Sequence, residues 1–242
     1  MLKSNLKIFI VLIVATLGVV LFSLWQVYQP KAGEKIFPAN VTDFSVDGLR
    51  FFEEDGLWRI KEFDGYFADV KFVKNLLYVF DMAEYVKKDD VKKTVFNEVK
   101  IKNKKFKICD DFVNKGRENW LMSYSLKFPE SKSEYLTSPM VDIDYMNVSS
   151  LKIGDVNWMF IDPSFIATLN NIKFVDVKRN LQKNKKRDLQ VVLTSGLVIN
   201  IAYYEDNWIS ISYDKLNIFE KGIKETIENY SILTDGWYFK LN

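Results

Sequence analysis

The chain has no histidine, one cysteine, five prolines and ten glycines in 242 residues. Without histidine there is no Ser-His-Asp or Cys-His catalysis and no imidazole-ligated metal site. A single cysteine, Cys109, closes no intramolecular disulfide and builds no thiolate zinc site. It lies beside Ile108 in an apolar stretch and reads as a small buried hydrophobe. Gly33, Gly48, Gly56 and Gly65 are too scattered for a phosphate loop or a dinucleotide fingerprint, and no motif calls for a cofactor. An excess of charge is missing too. Lys and Arg number 34 against 32 Asp and Glu, a net +2, which argues against a dedicated nucleic-acid binder. At 48% hydrophobic and 15% aromatic residues, the chain is built to bury a core rather than to stay disordered.

What is present begins with one long apolar run. Residues 8–28 carry no charge, and an α-helix of that length rises about 30 Å, the thickness of a bilayer core. Trp25 and Tyr28 stand at its far end and Pro30 follows. The run is longer than the core of a cleaved signal peptide and has no small-residue cleavage site after it. It therefore predicts an uncleaved signal anchor. Lys3 and Lys7 precede it and hold the whole formal charge surplus, which favours an inside N-terminus and an extracytoplasmic remainder. The expected location is single-pass in the cytoplasmic (inner) membrane of a cell envelope, with a periplasmic bulk.

Beyond a linker the tryptophans are regular. Trp58, Trp120, Trp158, Trp208 and Trp237 each follow a turn-forming pair and open an apolar run, so each predicts a strand start and a core anchor. Residues 49–52 and 57–61 flank Glu54-Asp55-Gly56 as a hairpin. A helix follows from Asp69, with Val70, Val73, Leu76, Leu77, Phe80 and Ala83 on one stripe. Residues 197–204 and 208–213 flank Glu205-Asp206-Asn207, and Leu216, Phe219, Ile223, Ile227 and Tyr230 predict a second helix from Asp214. Residues 95–101 and 106–112 suggest a further hairpin. Strands are expected at 120–128, 135–145, 151–161, 173–178 and 189–193, with a short helix from Asp162-Pro163 to Leu169. Lys183–Arg187 reads as a loop.

The fold class so read is α+β: an N-terminal transmembrane helix, then antiparallel sheets with two repeated strand-turn-strand-helix units. The parts are a flank at 1–7, the anchor at 8–28, a linker at 29–40 and an extracytoplasmic α+β domain at 41–242. The internal repeat covers about 41–90 and 189–242.

Leu57-Trp58-Arg59-Ile60, Gly65-Tyr66-Phe67-Ala68-Asp69 and Val73-Lys74-Asn75-Leu76-Leu77 resemble bacterial domain-of-unknown-function family 4340, and Leu151-Lys152-Ile153-Gly154 is similar to one of its later strands. The family's Tyr-Gly-Leu-x-x-Pro segment is replaced here by residues 84–93. The resemblance implies an N-terminal membrane helix, an envelope location, an internally repeated layout, no established enzymatic activity and no catalytic residues. Some relatives accompany ABC-transporter components.

Acid pairs occur at Glu53-Glu54-Asp55, Asp89-Asp90, Asp110-Asp111, Asp142/Asp144 and Glu205-Asp206. Two carboxylates across a cleft would serve glycoside hydrolysis, and Asp142/Asp144 would offer oxygens to Ca²⁺, but most of these pairs fall at solvated turns. No catalytic or metal site is assigned. Charge is polarised along the chain. Residues 87–107 hold nine lysines against three acids, and 173–187 seven basic residues against one. Lys100, Lys102, Lys105 and Lys107 alternate with Val99, Ile101, Phe106 and Ile108, placing a basic stripe on one face of a hairpin for contact with an anionic surface. The expected function is a single-pass, membrane-anchored, extracytoplasmic binding or scaffold protein of the cell envelope, an accessory to an ABC-type transporter. Its partners would be the membrane, through the N-terminal helix, and an envelope protein. The alternatives are a carboxylate-based cell-wall polysaccharide hydrolase and a lipid carrier.

Overall fold

A computed structural model describes residues 13–14, 16–21, 30–89, 95–115, 118–158, 160–216 and 221–242. Local chemistry sets many elements. Asp47-Gly48 and Asp55-Gly56 both take positive φ, the conformation that two-residue hairpin loops need, and they separate β1 (Asp43–Val46), β2 (Leu49–Glu54) and β3 (Leu57–Ile60). After β4 (Tyr66–Phe67), the Asp69 carboxylate accepts from the Phe72 amide at 2.6 Å and starts α1 (Val70–Met82). Its buried stripe is Val73, Leu76, Val79 and Phe80; Val70 is exposed. Next come β5 (Tyr85–Asp89), β6 (Asn97–Ile101), β7 (Lys104–Lys115) and β8 (Glu118–Leu126).

The second half opens with β9 (Val148–Ile153) and β10 (Val156–Trp158). The Asp162 carboxylate accepts from the Ser164 amide at 2.8 Å, and Pro163 at the first helical position opens α2 (Pro163–Asn170). There follow β11 (Phe174–Arg179), β12 (Lys185–Leu193), β13 (Leu197–Tyr204), β14 (Trp208–Lys215), α3 (Lys221–Thr234) and β15 (Trp237–Leu241).

Every strand pair is antiparallel. The strands form an eight-stranded sheet, β4-β3-β2-β1-β6-β7-β8-β5, and a seven-stranded one, β10-β9-β12-β13-β14-β15-β11. The two orders follow one plan. A first meander (β1–β4, or β9–β10) ends at one edge. A helix (α1, or α2) carries the chain to a strand at the opposite edge (β5, or β11). A second meander (β6–β8, or β12–β15) fills the gap, pairing its first strand with β1 or β9 and its last with β5 or β11. The turn contacts agree. The Asp47 amide donates to the Glu98 carbonyl, and the Gly154 amide to the Asp188 carbonyl, each at 2.8 Å. The chain is thus a duplication of one sheet topology, with α3 inserted in the second copy.

Each sheet turns one face inward. Phe44 stacks on Phe51 and meets Phe80 of α1 edge-on at 5.6 Å; Leu151, Val191, Ile199 and Ile211 face Ile166, Leu169 and Ile223 of the other helices in the same core. The outer faces are polar: Ser45, Arg50, Lys100 and Lys105 on the first, Lys152, Gln190, Asn200 and Ser212 on the second. Between the sheets, Tyr66 packs edge-on against Trp237 at 5.0 Å and Phe239 at 5.5 Å. The connecting segment is pinned to both halves. Its Thr137 amide donates to Phe67, the Asp69 amide donates to its Tyr135 carbonyl, and Asn170 bonds both backbone groups of Ile143. The Tyr213 hydroxyl donates to Pro139 and accepts from the Val141 amide.

Several expectations are corrected. Most of residues 8–28 lie outside the described ones. No helix among the described residues is long and apolar enough to cross a membrane. The membrane helix, the signal anchor and the single-pass membrane location are overturned on that finding. The class is not a transmembrane helix followed by two repeated strand-turn-strand-helix units, but a mainly β architecture of two antiparallel sheets. The helix after β3 and β4 crosses from edge to edge, whereas the helix after β14 joins neighbouring strands, so those two units occupy different places in the topology.

Other differences are local. The helix expected from Asp214 is described from Lys221, and Asp214 and Lys215 stay paired with Val198 and Leu197; Leu216 is exposed and Phe219 lies outside the described residues. The strand expected at 135–145 is replaced by two short 3-10 turns and extended backbone held by side chains. Lys185–Arg187, expected in a loop, open β12. Trp120, Trp208 and Trp237 are buried and Trp58 is half-buried, but Trp158 is 52% exposed.

Trp237→Ala should therefore cost about 3–5 kcal/mol, the range for emptying a large core aromatic site. Trp158→Ala should cost less than about 0.5 kcal/mol, as for most surface changes. Urea denaturation of the two variants measures the difference.

Candidate functional site

Two broad concavities lie on the outer faces, at equivalent places in the duplicated plan. The first, of about 550 Å³, lies where β1 meets β6; Asp43, Ser45, Arg50, Lys100 and Lys102 line it. The second, of about 590 Å³, lies where β9 meets β12; Lys152, Lys185, Lys186, Arg187 and two carboxylates, Asp155 and Asp188, line it. Strand register matches the two. Ser45 sits opposite Lys100 as Lys152 sits opposite Gln190, and Lys100 opposite Lys105 as Gln190 opposite Asn200.

Beside each, a carboxylate on the second meander's first strand pairs with lysines. Glu98 pairs with Lys100 at 3.2 Å and with Lys105, and sits opposite Lys107. The Lys105 ammonium, and then Lys100, hold the Glu98 carboxyl below the usual glutamate range. Directly opposed Lys100 and Lys105 would repel, and Glu98 between them removes that cost. In the second depression Asp188 bonds Lys185 at 2.9 Å and raises its pKa through the hydrogen bond and the charge. At its border Lys183 pairs with Asp206 at 2.7 Å.

All four lysines of the predicted stripe are exposed. Lys100, Lys105 and Lys107 share the outer face; Lys102 stands in the turn, at φ 54°, and still lines the depression. Lys152, Lys185 and Lys186 were not expected there. The signal for Lys185 and Lys186 is the basic run at 173–187, which reads as a loop because no apolar alternation begins before Leu189.

The acid pairs lie apart from one another. Glu53 and Glu54 end β2 beside Asp55 of the turn, and Glu54 pairs with Arg59 at 2.9 Å. Asp206 is held by Lys183, and Asp90 lies outside the described residues. Asp144 caps a 3-10 turn, one oxygen accepting from the Met146 amide and the other from the Asn147 side chain. Among the described residues no three His, Cys, Asp or Glu side chains gather as a metal site. Cys109 is half-buried in β7. No tryptophan lines either basic depression. The apolar cleft between Ile153, Phe165, Leu189 and Tyr203 measures about 50 Å³, far below the roughly 300–1,000 Å³ of ligand pockets.

No family model matches the chain, and neither the curated proteins nor the solved structures contain a similar one. The likeness to family 4340 rests on the quoted residues alone.

Glu98 gives a pH prediction with a fixed sign. Its folded pKa is depressed, so its stabilisation is present above the unfolded value, near 4.3, and is lost as pH falls through the folded value. Glu98→Gln should lower the urea midpoint at pH 7 and leave it unchanged at a pH below the folded value. Paired denaturation curves at the two pH values check this.

Proposed function

We propose that the protein is a non-catalytic binding or scaffold protein that seats an acidic surface of a partner protein in its two basic depressions. The observation that carries the reading is that beside each depression a carboxylate at the equivalent register position, Glu98 or Asp188, holds exposed lysines. Lysines already held by Glu98 and Asp188 lose less side-chain freedom on binding than free ones, which lowers the cost of recognition. Exposed clusters of one sign also steer a partner of the opposite sign and make its association salt-dependent. The resemblance to family 4340 adds one class of partner, an ABC-transporter component.

The test starts with lysine-directed cross-linking in the native cell to identify the partner. Its affinity is then measured for the wild type, for Lys100→Glu/Lys105→Glu and for Lys185→Glu/Lys186→Glu, at low and high salt. Each double reversal should weaken binding about tenfold or more, since like-charge contacts oppose docking, and raised salt should weaken the wild type. A reading without reproducible partner, or with affinity indifferent to all four reversals and to salt, overturns the proposal.

A further inference from the structure

Sheet edges carry unpaired backbone groups, and three of the four edges here are guarded. Beside β4, the connecting segment supplies a bridge from Leu136 to Ala68 and the Thr137 amide to Phe67. Along β5, residues 33–36 bond Tyr85 and Ala83, and Lys87 and Lys88 add charge. At β11, the Arg179 amide donates to the Asp64 carboxylate in the turn between β3 and β4, and Lys178 and Arg179 add charge. The fourth edge, β10, is different. Val156-Asn157-Trp158 has no Lys, Arg or Pro, the devices that protect edges from pairing, and among the described residues no strand lies on its outer side.

This strand and Phe160, two residues beyond it, expose apolar surface. Val156 is 62% exposed, Trp158 52% and Phe160 90%. Val156 and Trp158 lie opposite Ile153 and Leu151, on the face that carries the core. The sister repeat shows how the equivalent position is filled: β2, the counterpart of β10, is covered by β3, and β3 in turn by β4, whose Tyr66 and Phe67 are both buried. Among the described residues the second repeat has no such strand.

We propose that β10 pairs antiparallel with β10 of a second copy of this chain, about a two-fold axis at Asn157. The backbone register favours this arrangement. Ile153 and Val156 flank the two-residue loop Gly154-Asp155, so they are a hydrogen-bonded pair, and Leu151 with Trp158 is the next. Val156 and Trp158 therefore direct their backbone groups at β9, and Asn157 directs its N–H and C=O outward. Asn157 opposite Asn157 exchanges both bonds, and each Trp158 then lies beside the other copy's Val156. The strand is uncharged, so self-pairing meets no like-charge opposition, and a two-fold closes without leaving a free edge at β10. The exposed apolar surface amounts to roughly 400 Å² per copy, about 800 Å² in all, below the ~1,200 Å² of a stable standard interface. The dimer is accordingly a weak, concentration-dependent one.

The experiment uses the full-length chain with Cys109→Ser. Asn157→Cys should form a disulfide-linked dimer under mild oxidation, because Cα atoms about 5.5 Å apart in a hydrogen-bonded pair lie within disulfide reach. Glu225→Cys, on an exposed position of α3, serves as the collision control. Analytical ultracentrifugation of the chain with its native Asn157 should show a reversible monomer–dimer equilibrium, with the dissociation constant raised tenfold or more by Trp158→Lys. Cross-linking at 157 no faster than at 225, a monomer at all concentrations, or an equilibrium indifferent to Trp158→Lys would each overturn the proposal. So would preferential linkage of residue 157 to a different protein.

Discussion

The burial of Tyr66 between the two sheets is the contact on which the rest of the molecule depends. Each sheet has one apolar face and only one or two helices to cover it, so part of the inner surface must be closed by the other sheet. Tyr66, from the short edge strand β4, closes it by standing edge-on to Trp237 and Phe239. Its hydroxyl is buried with no partner among the described residues, and burial drives its pKa far upward, so the ring stays neutral. An orphaned hydroxyl costs about 1–3 kcal/mol, and the burial of two large rings outweighs it. Cations frame the contact, with the Arg59 guanidinium 4.5 Å from the Phe67 ring centre and that of Arg179 4.4 Å from Trp237.

That docking consumes the inner faces and leaves the outer ones free. Because the two sheets share one topology, the free faces repeat the same geometry, and the two depressions occur where the first strands of the two meanders meet. Side chains there are set by pleat and register, not by loop conformation, so Lys100 and Lys105 stand on rigid backbone. This is the physical basis for reading the depressions as contact sites. The two carboxylates lining the second depression do not form a matched acid–base pair, since Asp188 is committed to Lys185.

What could be read from the sequence was what is decided within a few residues. The Asp69 and Asp162-Pro163 caps, the Asp55-Gly56 turn and the outward placement of Lys100, Lys105 and Lys107 all follow from local spacing. Long-range pairing did not. The echo between Trp58 and Trp208 reflects shared hairpin chemistry. The structural counterpart of the β9–β10 hairpin is the β1–β2 hairpin, a correspondence fixed by the pairing of β1 with β6 and of β9 with β12, strands far apart in the chain. The tryptophans were alike in sequence and unlike in burial, because burial depends on what crosses over them. Trp237 lies under Tyr66, and nothing described lies over Trp158. The lysines of the second depression were hidden because strand β12 begins four residues before its apolar alternation does.

The duplication also constrains how the outer faces could act together. Lys152, in the second depression, lies opposite Asn157 on the adjacent strand. A two-fold through Asn157 would therefore place two Lys152 side chains three strand spacings apart, about 14 Å at ~4.8 Å per strand. Two basic depressions on one continuous face, at fixed separation, would bind an acidic partner with paired sites far better than either alone, because the second contact becomes intramolecular. A monovalent acidic partner would gain nothing from the pairing. Edge pairing and charge recognition are thus physically separable: the first depends on Trp158 and the backbone of Asn157, the second on lysines facing the other way. Their combination links the affinity for an extended acidic partner to the concentration of the chain itself.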